Sequence, residues 1–347
     1  MTARPWFTRP APSAGRRMFV ATTLASIGAA IVPAAAAQDR RPVVVLANLT
    51  EEPGVRIEGL GFTGADVRSS FQLAARRYPI DLRPLDNGHD KAKALANAEA
   101  AIRDKAALYI GYFDDPATNA EIARRLKGAG IPVIAIGQAI GDAPIYGPDN
   151  TGAGRIAGEA LGRFAATMWS GLPAAYAIVG PVSDPAERIR ERIAGILAGL
   201  NQAGVTTSVA RLDTGGNPQQ TEAVLGRFLS GQGGRKILLA TLDDATALST
   251  KAALEAAGRL NDAAIVSLGC DRSMHGGMND KKEIDPANRG SVLIGSVGFY
   301  LDRYGYDVLP MAMKLLRGEA LPPRTATTHR LITSANIFME YPPADMN

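Results

Sequence analysis

One cysteine, Cys270, occurs in 347 residues, which excludes an internal disulfide framework and a cysteine-built metal site. It is expected to be a buried small apolar residue. Histidine is almost as scarce. His89, His275 and His329 show no metal-ligand spacing, and no serine or cysteine in a nucleophile-elbow context accompanies them. They read as surface or loop residues, so no metal and no cofactor is expected. Aromatic residues make up only 6%, without the basic and aromatic stripe that binds nucleic acid. Charge of one sign is also lacking once the first segment is set aside. Residues 1–37 hold Arg4, Arg9, Arg16 and Arg17 and no acid. Removing these four from the 38 basic residues leaves 34, equal to the 34 acidic ones. A neutral remainder supplies no electrostatic pull on nucleic acid.

Long apolar runs are missing too. The run over 18–32 is too short for a comfortable membrane span. It follows Arg16-Arg17 and precedes Ala35-Ala36-Ala37, small residues suited to cleavage before Gln38, so 1–37 reads as a signal peptide. Arg16-Arg17-Met18-Phe19 resembles a twin-arginine signal, and an ordinary secretory signal fits the segment as well. No cysteine stands at the cleavage site, so no lipid anchor is expected. The expectation is a soluble periplasmic protein.

What the chain does have is alternation. It is 46% apolar, with 37 Gly and 22 Pro to punctuate many short elements. Apolar, β-branched runs at 42–47, 80–85 and 107–112 alternate with helical periodicities, including Val67, Phe71, Ala74, Ala75 and Tyr78. Ile131, Val133, Ile134 and Ile136 form a fourth strand, followed by Pro148-Asp149-Asn150, with Asn150 placed to cap the next helix. From there the pattern repeats: strands at 175–179, 205–212, 236–242 and 264–268, with helices at 185–200, 221–229 and 245–257. After Asp271 come a polar stretch, a strand at 291–297, a helix at 307–316 and a last strand at 330–333. Such alternation means an α/β fold of parallel sheets covered on both faces, here two lobes on one plan, with 131–154 as the crossing between them.

Gly59-Leu60-Gly61-Phe62-Thr63-Gly64 matches the dinucleotide fingerprint, and an exported NAD(P)-dependent oxidoreductase would use this loop. A pyrophosphate site needs its glycines in the turn directly after a strand; here a polar loop over 48–58 intervenes. Elsewhere, polar residues fall at strand ends and helix starts: Gln138, Asn150, Arg192, Asp243, Asp244 and Asp271. In parallel sheets, ligands bind beyond the carboxyl ends of the strands. Asn150 and Asp244 also read as helix caps and Asp271 as a turn residue. Arg192 has no acid three or four residues away on its helix.

The chain from about 42 to 336 resembles the periplasmic sugar-binding proteins of ABC importers, the ribose-binding-like group with type I topology. The resemblance rests on Gly130-Ile131-Pro132-Val133-Ile134, on Asp149-Asn150 with Gly154 after it, and on Arg192-Ile193-Ala194-Gly195. It continues through Asp243-Asp244-Ala245-Thr246-Ala247-Leu248, Gly269-Cys270-Asp271, Tyr304-Gly305 and Leu315-Leu316-Arg317-Gly318. Departures are Gly137-Gln138 where the family often has an acid or Asn, Asp243 for the usual Asn, and no aromatic pair after the first strand. The resemblance implies two Rossmann-like lobes joined by a three-segment hinge, 42–147 with 271–320 and 148–270 with 321–347. It implies a monomer without catalysis that binds a small polar ligand, a sugar above all, and delivers it to a membrane permease. A protein presenting its ligand to a sensor is the neighbouring alternative. The ligand contacts it implies are Gln138, Asn150, Arg192, Asp243 and Asp271, with Phe62, Tyr112, Phe113 and Phe299 as candidates for stacking on a sugar face. Cleavage after Ala37 is expected, and N-terminal sequencing of the periplasmic form should read Gln38-Asp39-Arg40; intact chain confined to the cytosol would contradict export.

Overall fold

A computed structural model describes residues 41–276, 282–288 and 290–342. The signal-peptide expectation for 1–37 lies outside them. The first sheet runs, edge to edge, β2 (Asp81–Asp86), β1 (Val43–Asn48), β3 (Leu108–Tyr112), β4 (Val133–Ile136), β5 (Ile145–Gly147) and β11 (Arg324–Ala326). All its pairings are parallel. The second runs β7 (Val209–Asp213), β6 (Ala174–Gly180), β8 (Lys236–Thr241), β9 (Ala263–Gly269), β10 (Leu293–Gly298) and β12 (Leu331–Ile332), parallel except for the last, antiparallel pair. Each lobe therefore has its second strand outside its first, and the order reverses beside the first strand, where doubly wound sheets open a crevice.

The helices are α1 (Gly64–Ala75), α2 (Lys91–Arg103), α3 (Pro116–Gly128), α4 (Asn150–Met168), α5 (Glu187–Gln202), α6 (Thr221–Ser230), α7 (Asp244–Ala256), α8 (Arg272–His275), α9 (Tyr304–Leu316) and α10 (Ile337–Glu340). Their starts are chemically marked. Thr63 and Asp66 form a reciprocal capping box on α1, and Asp115 caps α3 with Pro116 in its first turn. Asp149, not Asn150, caps α4, accepting from the Gly152 amide at 2.8 Å. Asp243 caps α7 through the Thr246 amide and hydroxyl. Asn150 and Asp244 are thereby freed for other contacts.

Three crossings join the lobes: at 147–150, at 299–303 and at 327–330. Strand β10, expected in the first lobe with the rest of 271–320, lies in the second, because it pairs in parallel with β9. Only after β10 does the chain return, with α9 packing on α1, where the Gly305 amide donates to the Ser70 hydroxyl at 3.0 Å. The segment 321–326 likewise belongs to the first sheet, since β11 pairs with β5. Strands β5 and β11 are three residues each, too short for alternation to betray.

Helices α4 and α5 touch backbone to backbone. A Cβ added at Gly154 would stand 2.2 Å from the Arg192 carbonyl oxygen, one at Gly158 2.1 Å from that of Ile196, and one at Gly195 2.1 Å from that of Thr151. These spacings put small residues one turn apart on both helices, so the axes meet without side chains between them. The seam sets Arg192 of α5 against Asn150, the first residue of α4. Gly158→Ala tests it. Alanine favours an exposed helix by about 1 kcal/mol over glycine, but a methyl jammed against a carbonyl forces the helices apart. The expected net loss is about 1–3 kcal/mol, read as a lower urea midpoint with unchanged slope. Gly226→Ala on α6, where a Cβ meets nothing within 4 Å, should be neutral or stabilising.

Candidate functional site

Past the end of β1 the chain does not turn straight into α1. Residues 55–62 form a hook. The Ile57 amide donates to the Phe62 carbonyl at 2.8 Å and the Leu60 amide to that of Ile57 at 2.9 Å. Ile57, Leu60 and Phe62 are buried and pin the hook into the first-lobe core. At its tip Glu58 adopts a left-handed backbone, φ 59°, and its carboxylate accepts from the Tyr112 hydroxyl at 3.0 Å. Burial first, and the Glu58 charge with it, hold the Tyr112 phenol well above its ordinary pKa.

The hook reaches the second lobe. Arg192, fully buried, donates from Nη2 to the Glu58 carbonyl at 3.1 Å and from Nε to the Asn150 side-chain oxygen at 2.9 Å. Its guanidinium lies over the Phe299 ring, 4.8 Å from the centroid. Burial pushes its pKa down to about 10, so it stays charged at neutral pH. Nη1 has no partner among the described residues. Asn150 also donates to Glu191 at 3.2 Å.

On either side of the hook lies a cavity. The larger, about 640 Å³, takes Glu58, Tyr112 and Gln138 from the first lobe and Asn150, Arg188 and Glu191 from the second. The smaller, about 460 Å³, is bounded by Asp213 and Asp243 beyond β7 and β8; Arg56, Gly59 and Arg188 border both. Both are strand-end cavities between lobes, the position expected of a ligand site in such sheets.

The expected contacts thus separate. Gln138 and Asn150 face the larger cavity and Asp243 the smaller. Asp271 lies behind the hook, its carboxylate accepting from the Ser273 amide and hydroxyl and so close to Gly61 that a Cβ there would stand 1.6 Å away. Burial raises its pKa. Asp244 is a buried strap: it accepts from the Ser267 hydroxyl, the Ser296 hydroxyl at 2.8 Å and the Asp271 amide at 2.8 Å. Burial and the Asp271 charge hold it well above its ordinary pKa. Among the stacking candidates only Tyr112 lines either of these two cavities. Phe62 and Phe113 are core residues, and Phe299 is covered by Arg192. Glu58 and Glu191 were not singled out in the sequence; the polar loop over 48–58 was the available signal.

Of the three histidines, expected at the surface or in loops, only His275 departs from that reading. His275 is buried and stacked on Tyr341, centroids 3.8 Å apart, and burial takes its pKa down to about 4. His89 is exposed and pairs with Asp114 at 3.0 Å. His329 stands in the third crossing, its Nδ1 2.9 Å from the Gly298 carbonyl and its Nε2 3.0 Å from the Asp149 amide. A carbonyl only accepts and an amide only donates, so Nδ1 carries the proton and the ring is neutral. One imidazole in the third crossing thereby ties the first crossing to the end of β10, where the second begins. Cys270 is buried, as expected. Gly61 and Gly64 serve close approach, to Asp271 and to the Thr50 carbonyl, 1.6 Å from an added Cβ, while Gly59 takes a left-handed backbone, φ 68°. They do not form a phosphate-binding turn after a strand. Among the described residues, no group of three or more His, Cys, Asp or Glu is arranged to hold a metal, and no helix is long and apolar enough to cross a membrane.

Residues 62–320 match the periplasmic binding protein domain family. The chain belongs to it. No curated protein matches the sequence. Among solved structures, this periplasmic binding protein is similar to a Mycobacterium smegmatis protein in complex with β-D-fucofuranose. The TM-score is 0.62 at 19% identity, over 88% of this chain and 95% of that one. It is also similar to an ABC transporter periplasmic solute binding protein of Actinobacillus succinogenes with bound D-allose (0.64, 15%, 87% and 100%). A third is the 5-methylthioribose transporter solute binding protein of Thermotoga lettingae (0.61, 16%, 88% and 91%). At these identities the likeness is one of fold, the two-lobed type I plan.

The neutral His329 makes the hinge sensitive to acid. Burial, with Arg192 nearby, holds its pKa below the ordinary 6.5, outweighing Asp149 and the Gly298 bond, which favour the charged ring. The unfolded chain therefore takes up the proton first. The contribution to stability is fully present above about pH 6.5 and is lost as pH falls from there toward the folded value. His329→Gln keeps one donor and one acceptor without titrating. Between pH 7.5 and 5 its melting temperature should fall less than that of the wild type, a difference that cancels the contributions of His275 and the raised carboxyls. Equal falls would contradict the assignment.

Proposed function

We propose that this protein is the substrate-binding component of an ABC importer. It takes a sugar or similar small polyhydroxy ligand into the cleft and hands it to a membrane permease, acting in the periplasm as a monomer without catalysis. The observation that carries the reading is the hinged pair of lobes whose strand ends meet around polar cavities bridged by Arg192. A ligand there satisfies groups from both lobes only when they close, and closure is favoured by that difference in contacts. Family membership supports the reading. So do the neighbours described as transporter components with bound sugars, which favour delivery to a permease over presentation to a sensor. Gly61 lies against Asp271 and Gly64 against Thr50, and neither stands in a turn directly after a strand, which disfavours the oxidoreductase alternative.

A thermal-shift screen of the mature protein against sugars and polyols tests this, since a ligand of the folded state raises the melting temperature. At least one neutral sugar or polyol should raise it in proportion to the logarithm of its concentration; a response to dinucleotides alone would contradict the reading. With the ligand in hand, Arg192→Met should cost about 2–5 kcal/mol of affinity, because the Asn150 oxygen and Glu58 carbonyl lose their buried donor. Unchanged affinity would show that Arg192 supports the fold but not the closed, liganded state.

A further inference from the structure

The hook changes where in the cleft a ligand sits. Connections from strand to helix in such folds commonly take about 2–6 residues, whereas β1 and α1 are separated by 49–63. The excess is folded, not slack: its turn is closed by backbone bonds, and Ile57, Leu60 and Phe62 are buried. Its tip meets the second lobe at three points. The Glu58 carbonyl takes a proton donor of Arg192, Gly59 lies beside the Arg188 guanidinium, and Gly61 abuts the Asp271 carboxylate. Two of the groups expected to hold ligand, Arg192 and Asp271, are therefore covered by the hook. A third, Asp243, is engaged by Thr246 and faces only the smaller cavity.

On the other side of the hook the larger cavity keeps polar groups of both lobes available. From the first lobe, Glu58 presents its carboxylate, steadied by Tyr112, and Gln138 is exposed. From the second, Glu191 and Arg188 face them, and the buried Arg188 Nε has no hydrogen-bond partner among the described residues. Carboxylates accept from adjacent hydroxyls and guanidinium groups donate to them, so the set matches a ligand dense in hydroxyls. Carboxylates outnumber guanidinium groups around this cavity, which disfavours an anionic ligand. Its volume of about 640 Å³ falls within the usual range for small-molecule sites.

The geometry points to the larger cavity as the ligand chamber, with Glu58 of the hook as the first-lobe acceptor and Glu191 and Arg188 as second-lobe partners for a neutral polyhydroxy ligand of monosaccharide size. This rests on the proposed function and names the site within it. The test is isothermal titration of the mature protein and its variants with D-allose, D-galactose, 5-methylthioribose and allitol. For whichever of these binds, Glu58→Gln and Glu191→Gln should each weaken binding at least tenfold, and Asp243→Asn less than threefold. Glu58→Gln retains an oxygen for the Tyr112 hydroxyl, and Glu191→Gln changes a half-buried helix position, so two independent variants report on the chamber. Loss of binding in Asp243→Asn with near wild-type binding in both glutamine variants would place the ligand in the smaller cavity. That would overturn the chamber while leaving the function standing. No binding of any of the four by the wild type would overturn the ligand class, and with it the sugar reading.

Discussion

A guanidinium removed from water must be given partners or it is strongly destabilising, and the structure is arranged around that demand at Arg192. Its neighbours come from every part of the cleft: Asn150 at the start of α4, the Glu58 carbonyl on the hook, and the ring of Phe299 in the second crossing. One of these belongs to the opposite lobe, so the Nη2 donor has its protein partner only when the lobes meet. The glycine seam between α4 and α5 is a precondition, because without backbone contact Asn150 and Arg192 would stand a side chain further apart. The seam lies inside the second lobe and the bridge spans both, which separates what holds a lobe together from what closes the clamp.

The crossings carry a second constraint. Three segments of chain have to bend together if the lobes are to hinge, and His329 in the third joins the first to the end of β10, where the second begins, through two bonds of opposite polarity. A neutral imidazole offers that combination in a rigid ring; a charged one has only donors. The hinge thus has a preferred protonation state set by two backbone groups, with burial reinforcing it.

Much of the fold was legible in the sequence. The alternation of apolar strands with periodic helices marks an α/β chain, and its repetition after 150 marks two lobes. Lobe membership was less legible: β11 pairs with β5, far away in sequence, and no local pattern says that β10 stays beside β9 before the chain crosses back. Asp149 and Asn150 are both good caps, so pattern alone chose the wrong one of two neighbours. At the site, Gln138, Asn150 and Arg192 stand at strand ends and helix starts where the crevice rule looks for them. Glu58 was hidden in a loop whose polarity suggested mere exposure. The burial of Ile57, Leu60 and Phe62, which makes that loop a hook, is a tertiary fact. The three phenylalanine candidates lie in the core, since a phenylalanine at a strand end packs there more readily than it waits for a ligand.

The central claim is that ligand binding and lobe closure are one event. Small-angle X-ray scattering of the mature protein, unliganded and at saturation with a ligand found by thermal shift, tests it most directly. The account predicts a smaller radius of gyration and a shorter maximum dimension on saturation, with the change reduced in Arg192→Met. Identical scattering curves with and without saturating ligand, from wild-type protein that demonstrably binds, would contradict it.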